Sequence, residues 1–242
     1  MWDFCDMHAH ILPGMDDGCK TPEESVQVLA LCYQQGIRYM FATPHYYPVE
    51  SVESFLSRRQ AAWEWLEEYL IKEKITDIPQ ICLGAEVAYR AGLSREEDLA
   101  KLCLGKSDYL LLELPLRAWS SEDVRQVKSI SLTQGITPVL AHYERYKSLQ
   151  TAQRYEEMAN LDALIQMNAE RLTAFSTRGS ACRKIRAGRV HLLGSDCHNM
   201  EQRKPNLAQA IAYLKHRGLQ NELNEIANLS IKIFRLAQGK GD

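Results

Sequence analysis

The sequence predicts an α/β fold, a closed barrel of seven parallel strand–helix units. Short apolar runs alternate with longer amphipathic stretches from one end of the chain to the other. The amphipathic stretches carry readable helix-start signals. The residues able to do chemistry stand at the C-terminal ends of nearly every apolar run. In a barrel those ends meet at one mouth. In an open sheet they would lie along a line, and the outermost could not share a site.

In chain order, a first strand over 3–8 leads into His8-Ala9-His10. Thr21-Pro22-Glu23-Glu24 reads as a capping box with Pro at the first helical position, and Gly36 follows the end of that helix. A second strand over 37–43 leads through Pro44 to His45. An amphipathic helix over 51–74 sets Phe55, Trp63, Leu66 and Leu70 on or near one face. A third strand over 81–84 leads to Glu86. Ser94-Arg95-Glu96-Glu97 reads as a second capping box, so another helix is expected to start there. Strands over 109–114, 136–141, 163–168 and 190–194 end at or lead into Glu113, His142, Asn168 and Asp196-Cys197-His198. Helices over 206–217 and 219–236 close the chain. With no repeat, low-complexity stretch or break in composition, residues 1–242 read as one domain, with C-terminal helices about 206–238.

Composition narrows the class of function. At 45% hydrophobic and 25% charged residues the chain can build a sizeable core. A net charge of −2 argues against a nucleic-acid backbone or an anionic membrane as the main partner. No apolar run approaches the ~18 residues of a membrane span. The start of the chain has two acids and no basic n-region, unlike a signal peptide. Seven scattered cysteines without a C-x-x-C point to free thiols in a reducing cytoplasm.

A lone histidine at a strand end is more often structural than a ligand, and a lone glutamate there is usually a salt-bridge partner. Here His8, His10, His45, His142 and His198 stand at strand exits together with Asp17, Glu86, Glu113 and Asp196. Residues two apart on extended chain point to one side, so His8 with His10, and Asp196 with His198, can each face one centre. His191 at a strand start and His216 near a helix C-terminus fall outside the pattern and read as structural. Imidazole and carboxylate without thiolate suit Mn, Fe, Zn, Co or Mg. Four carboxylates with one divalent ion leave a net −2, which repels an anionic substrate. Three ions leave +2, which suits a phosphate dianion, and clustered ions serve ester hydrolysis.

One Cys-x5-Arg is present, Cys32 to Arg38. A cysteine-nucleophile phosphatase needs that loop to lead into a helix N-terminus. Cys32 lies instead in the last turn of a predicted helix and Arg38 begins a strand, so this chemistry is rejected.

The segments Asp6-Met7-His8-Ala9-His10-Ile11-Leu12-Pro13-Gly14-Met15-Asp16-Asp17-Gly18, Ala42-Thr43-Pro44-His45, Gly84-Ala85-Glu86, Glu113-Leu114-Pro115, Ala141-His142-Tyr143-Glu144-Arg145-Tyr146 and Ser195-Asp196-Cys197-His198-Asn199 resemble the PHP superfamily. Within it they are similar to the metal-dependent bacterial protein-tyrosine phosphatases of the CpsB/CapC type. The resemblance runs from residue 3 to about 206. It implies a distorted (β/α)7 barrel and a site of three divalent ions, manganese first among the candidates. It places His8, His10, Glu86 and Asp196 on one ion. Glu86 bridges to a second, held also by Glu113 and His142, and Asp17, His45 and His198 hold the third. Arg145 and Arg203 match phosphate-contacting arginines. Asp6 is expected either to orient an imidazole or to form a salt bridge. Tyr143 stands where the family commonly has Pro, which could reshape the loop carrying Arg145. The implied substrate is the phosphotyrosine-containing tail of a bacterial tyrosine kinase that controls capsule or exopolysaccharide assembly, met in the cytoplasm. A small-molecule phosphatase, such as one for histidinol phosphate, is the alternative enzyme. A catalytically silent kinase-binding regulator is the non-enzyme alternative.

Overall fold

The computed structural model describes residues 4–240, so Asp3 of the first predicted strand lies outside it. β1 (Phe4–Ala9), β2 (Ile37–Ala42), β3 (His45–Tyr46), β4 (Gln80–Leu83), β5 (Glu86–Ala88), β6 (Tyr109–Glu113), β7 (Thr137–Leu140), β8 (Leu164–Asn168) and β9 (Leu192–Gly194) all pair in parallel. The helices between and after them are α1 (Pro22–Gln34), α2 (Val52–Lys72), α3 (Ser121–Gln134), α4 (Ala152–Ala159), α5 (Glu170–Thr173), α6 (Arg178–Arg186), α7 (Leu207–His216) and α8 (Gln220–Ala237).

The strands form two sheets, ordered β1-β2-β4 and β3-β5-β6-β7-β8-β9. β2 and β3 are two halves of one broken run, and so are β4 and β5. The first break falls at Pro44, which has no N–H to give a neighbour. The second falls at Gly84, where a Cβ would lie 2.7 Å from the Leu104 side chain. At the other seam the Asp196 amide donates to the His8 carbonyl (2.8 Å), and the His10 amide donates to that of Cys197 (2.9 Å). The ring therefore closes as seven strand runs, distorted by the two breaks.

Inside the ring, Cys5, Met7, Phe41, Leu111, Val139 and Leu192 form a buried cluster with Ile233, Phe234 and Ala237 of α8. The last helix thus plugs the ring with apolar side chains. A larger cluster joins the outer faces of the strands to the surrounding helices. In α2 the buried face is Phe55, Ala62, Leu66 and Leu70, with Trp63 only partly covered.

Two helix-start expectations need correction. No helix begins at Ser94: the chain makes a short 3₁₀ turn over Leu93–Arg95, and the buried Ser94 side chain caps nothing. The complete capping box belongs to α3, where Ser120 and Asp123 each bond the other's backbone N–H. At α1 the Thr21 hydroxyl accepts from the Glu24 amide as expected, but the Glu24 carboxylate takes the Lys20 amide rather than that of Thr21. Among the described residues no helix is long and apolar enough to cross a membrane, and all seven cysteines are free.

Candidate metal centre

The strand exits gather the nine side chains singled out in the sequence. Oε2 of Glu86 lies 3.0 Å from Nε2 of His8, 3.2 Å from Nε2 of His10 and 3.2 Å from Nδ1 of His45. Its other oxygen lies 2.8 Å from Nε2 of His142, which is also 3.7 Å from Glu113. Asp196 Oδ1 is within 3.7 Å of nitrogens of His8, His10 and His198. Asp17 reaches in from solvent to His198 (3.2 Å) and His45 (3.5 Å). Three groups hold their ligand atoms within 4.8 Å of one another: His10, Asp17, His45 and His198; His8, His10 and Asp196; and His45, Glu86 and Glu113. His10 and His45 each belong to two groups, a sharing that differs from the one the resemblance implies.

The local backbone is shaped for this convergence. The β1–β2 register shifts between Asp6 and Ala9. Cys5 and Met7 therefore join the interior cluster, while His8, one residue on, also reaches the mouth. That irregularity corrects the expectation for Asp6. Its carboxylate touches no imidazole ring and forms no salt bridge. Oδ1 instead accepts the amides of His8 (3.2 Å) and Ser195 (2.8 Å), tying β1 to the segment after β9. Gly18 and Gly194 are needed for close approach. A Cβ at Gly18 would sit 2.2 Å from the His10 carbonyl oxygen, and one at Gly194 would sit 2.6 Å from the His8 Cβ. His142 and Asp196 hold left-handed backbone, with φ of 32° and 53°. Such strain is characteristic of residues held by function.

The outward nitrogens of the imidazoles are held by protein oxygens. Nδ1 of His10 donates to Asp16 (2.7 Å), Nδ1 of His8 faces the Gln166 carbonyl (3.4 Å), and Nδ1 of His198 faces the Asp196 carbonyl (3.1 Å). For His142 the partner is the Tyr146 hydroxyl (3.3 Å), which also accepts the Leu114 amide. A donor at Nδ1 leaves Nε2 with a lone pair turned into the cluster, the arrangement that metal-ligating histidines adopt. Nε2 of His8 and Nε2 of His10 face each other at 3.0 Å. Nδ1 of His45 is buried and makes no hydrogen bond, although Oε2 of Glu86 lies 3.2 Å away. Crowded lone pairs and an orphaned ring nitrogen fit a donor set built for cations.

The carboxylates and imidazoles of the cluster set one another's protonation. Burial pulls the His8 and His10 imidazoles down, but Glu86, Asp196 and Asp16 outweigh it and the net shift is upward. Burial works against charge on Glu86 and Asp196, yet the surrounding imidazoles hold both carboxyls well below the usual range. Burial, with the Glu86 charge, pushes Glu113 up to about 7. Burial, with His10 and Arg203 beside it, pulls His198 down to about 4.

Arg145 and Arg203 flank the cluster. Each places a guanidinium nitrogen 2.5 Å from Asp196, and Arg203 also reaches Nε2 of His198 at 2.7 Å. Tyr143 anchors the Arg145 turn: its hydroxyl donates to the Tyr155 carbonyl (2.5 Å), and Tyr155 returns a bond to the Tyr143 carbonyl (3.4 Å). Of the aromatics near the mouth, Tyr46, Trp119 and Tyr146 are buried. Tyr47 is half exposed and stacks on His45 at 5.3 Å.

Sequence reasoning missed Asp16 and Gln166 and gave Asn168 too little weight. Gln166 accepts the His142 amide (2.7 Å) and donates to Asn168 (3.0 Å), which donates to Asp196 (2.7 Å). The available signal was Gln166 and Asn168 two apart at the end of an apolar strand, where a buried amide needs partners. His191 lies before β9 and accepts the Ile165 amide (2.8 Å), a structural contact. Cys32 is buried in α1, and Arg38 donates to the Tyr33 carbonyl near the start of β2, away from the mouth.

A family described as "Capsular polysaccharide synthesis, CpsB/CapC" matches residues 4–230. The tyrosine-protein phosphatase CpsB of Streptococcus agalactiae serotype III (strain NEM316) is 30% identical over 224 residues, covering 85% of this chain and 87% of that protein. CpsB of Streptococcus pneumoniae is 32% identical over 224 residues, with the same coverage of 85% and 87%. A chain from the crystal structures of YwqE from Bacillus subtilis and CpsB from Streptococcus pneumoniae, metal-dependent tyrosine phosphatases, superposes with a TM-score of 0.80. It is 26% identical, and the match covers 96% of this chain and 94% of that one.

Proposed function

The chain belongs to the CpsB/CapC family of capsular polysaccharide synthesis proteins, and from that premise we propose that it is a metal-dependent protein-tyrosine phosphatase. The observation that carries the reading is the meeting of five imidazoles and four carboxylates at one barrel mouth, with two guanidiniums beside them. In this reading residues 1–242 act as one phosphatase domain.

His8, His10, Asp17, His45, Glu86, Glu113, His142, Asp196 and His198 would hold three divalent ions, manganese by preference. The chemistry expected of such ions is a hydroxide at neutral pH and positive charge over the phosphoryl oxygens. The protein's own groups do the rest. Asp16, Gln166 and the Asp196 carbonyl orient imidazoles through their outward nitrogens. Arg145 and Arg203 offer planar forks of donors to the phosphoryl oxygens. Tyr47 presents an aromatic face to the ring of the substrate. Phenolate, from a tyrosine of pKa ≈ 10, leaves without needing a strong general acid.

The substrate in this reading is the phosphorylated tail of a bacterial tyrosine kinase that controls capsule or exopolysaccharide assembly, met in the cytoplasm. Elemental analysis of purified protein, run beside assays on phosphotyrosyl peptides and histidinol phosphate, tests it. Bound divalent metal with turnover of the peptides supports the proposal. Turnover of histidinol phosphate alone replaces it with the small-molecule reading. Metal-replete protein that hydrolyses no ester replaces it with a regulatory role.

A further inference from the structure

Beside the metal centre lies a cavity of about 500 Å³, between the 143–149 turn on one side and α5 and α6 on the other. Its wall carries Arg145, Lys147, Arg171 and Lys184, and one carboxylate, Glu144. Ser148, Thr177 and Ser180 also line it, the Thr177 hydroxyl donating to the Arg171 carbonyl (2.9 Å). One oxygen of that carboxylate is engaged: Oε1 of Glu144 accepts the Asn168 amide (3.3 Å) and lies 3.7 Å from Arg171, while Oε2 is buried without a hydrogen-bond partner and burial pushes the group up to about 7. Among the described residues, neither Lys147 nor Lys184 has a carboxylate within 4.0 Å; Nζ of Lys184 donates only to the Tyr155 hydroxyl (3.0 Å). Burial, with Lys147 and Arg171 nearby, pulls the Lys184 ammonium down, and Glu144 offsets only part of that shift.

Arg145 joins this cavity to the proposed phosphate site, since it both lines the wall and pairs through its guanidinium with Asp196. A side chain flanking a phosphotyrosine at the proposed site would therefore meet the basic wall. A concave volume with an excess of cations recognises anionic groups by charge and by charge-assisted hydrogen bonds.

We propose that this cavity is a specificity subsite for an anionic side chain, carboxylate or phosphoryl, flanking the scissile phosphotyrosine. The inference rests on the phosphatase reading for the position of that phosphotyrosine. It makes the enzyme selective for acidic or multiply phosphorylated tyrosine-containing segments over neutral or basic ones.

The test is fluorescence anisotropy on metal-loaded protein with peptides carrying a non-hydrolysable phosphonomethyl-phenylalanine, flanked by aspartate, by phosphotyrosine, by alanine or by lysine. Turnover of para-nitrophenyl phosphate, which has no flanking residues, is measured in parallel. The anionic peptides are expected to bind about tenfold more tightly than the alanine peptide at low salt, a gap that narrows as salt rises. The aspartate and phosphotyrosine arms distinguish the two anions. Lys147→Gln/Lys184→Gln is expected to erase the gap and leave para-nitrophenyl phosphate turnover unchanged. Lys147→Gln alone, at an exposed position, is expected to shrink it in a folded protein. Equal affinities across the series, or a gap that persists in the double variant, overturns the proposal. A gap erased by the variants in a protein inactive on every phosphotyrosyl ester keeps the subsite and rejects the phosphatase reading; intact turnover without a gap does the reverse.

Discussion

Nδ1 of His10 donates to Oδ2 of Asp16 across 2.7 Å, and the same oxygen accepts the backbone amide of His45 at 2.9 Å. One carboxylate thus sets the ring of one proposed ligand and the main chain of another. Asp16→Ala is expected to weaken divalent-metal affinity about 10- to 100-fold, the usual cost of losing an orienting partner. Metal titration of the folded variant checks this. Unchanged affinity would remove Asp16 from the ligand-positioning scheme.

Arg203→Ala is expected to lower kcat/KM on phosphotyrosyl peptides by about 10²- to 10³-fold, as removal of a donor to a charged transition state does. Its metal content should equal that of the parent. If metal is lost as well, the arginine supports the ligands rather than the phosphate.

Chelation by EDTA should abolish turnover and added Mn²⁺ should restore it, because the donor set is imidazole and carboxylate. His8→Ala should abolish turnover by losing metal, seen by elemental analysis. Inhibition by vanadate in protein that keeps full activity in EDTA would contradict the scheme.

Tyr47→Ala should raise KM for a phosphotyrosyl peptide by about two- to tenfold, the range of an aromatic contact of 0.5–1.5 kcal/mol. KM for a small alkyl phosphate should not change. Equal effects on both would show that Tyr47 acts only by supporting His45.

The Arg117 guanidinium and the Ser120 cap hold the Asp123 carboxyl far below its ordinary value. The native state therefore binds fewer protons than the unfolded chain at acid pH. The stability this adds is present above the unfolded pKa of about 4 and is lost as pH falls below it. Asp123→Ala should destabilise the protein by about 1–2 kcal/mol at neutral pH, the cost of a helix cap with its ion pair. The difference should shrink below about pH 4. Denaturant titrations of both proteins at several pH values measure it.

Strand positions were legible because buried parallel strands are continuous apolar runs of the right length. The conjunction of ligand-type residues at their ends was legible for the same reason. What periodicity could not give was any departure from it. The strict two-residue alternation that put Asp6 beside His8 and His10 fails at the register shift before Ala9. The short strands His45–Tyr46 and Glu86–Ala88 lie beyond Pro44 and Gly84, where a sequence reading stops a strand. Ser94 has the right residues three apart, but tertiary packing buries its side chain in a 3₁₀ turn. Asp16 and Asp17 are indistinguishable as letters. Only the turn geometry sends one to an imidazole's outer nitrogen and leaves the other facing the cluster.

The seam between β1 and the segment after β9 brings together residues 189 positions apart, as the bond from the Ser195 amide to Asp6 records. His8 and His10 lie on one side of that seam, Asp196 and His198 on the other. A chain that stops before Asp196 cannot assemble the centre, whatever its other strands have done. An N-terminal fragment ending before Asp196 lacks one side of the seam and should release no phosphate.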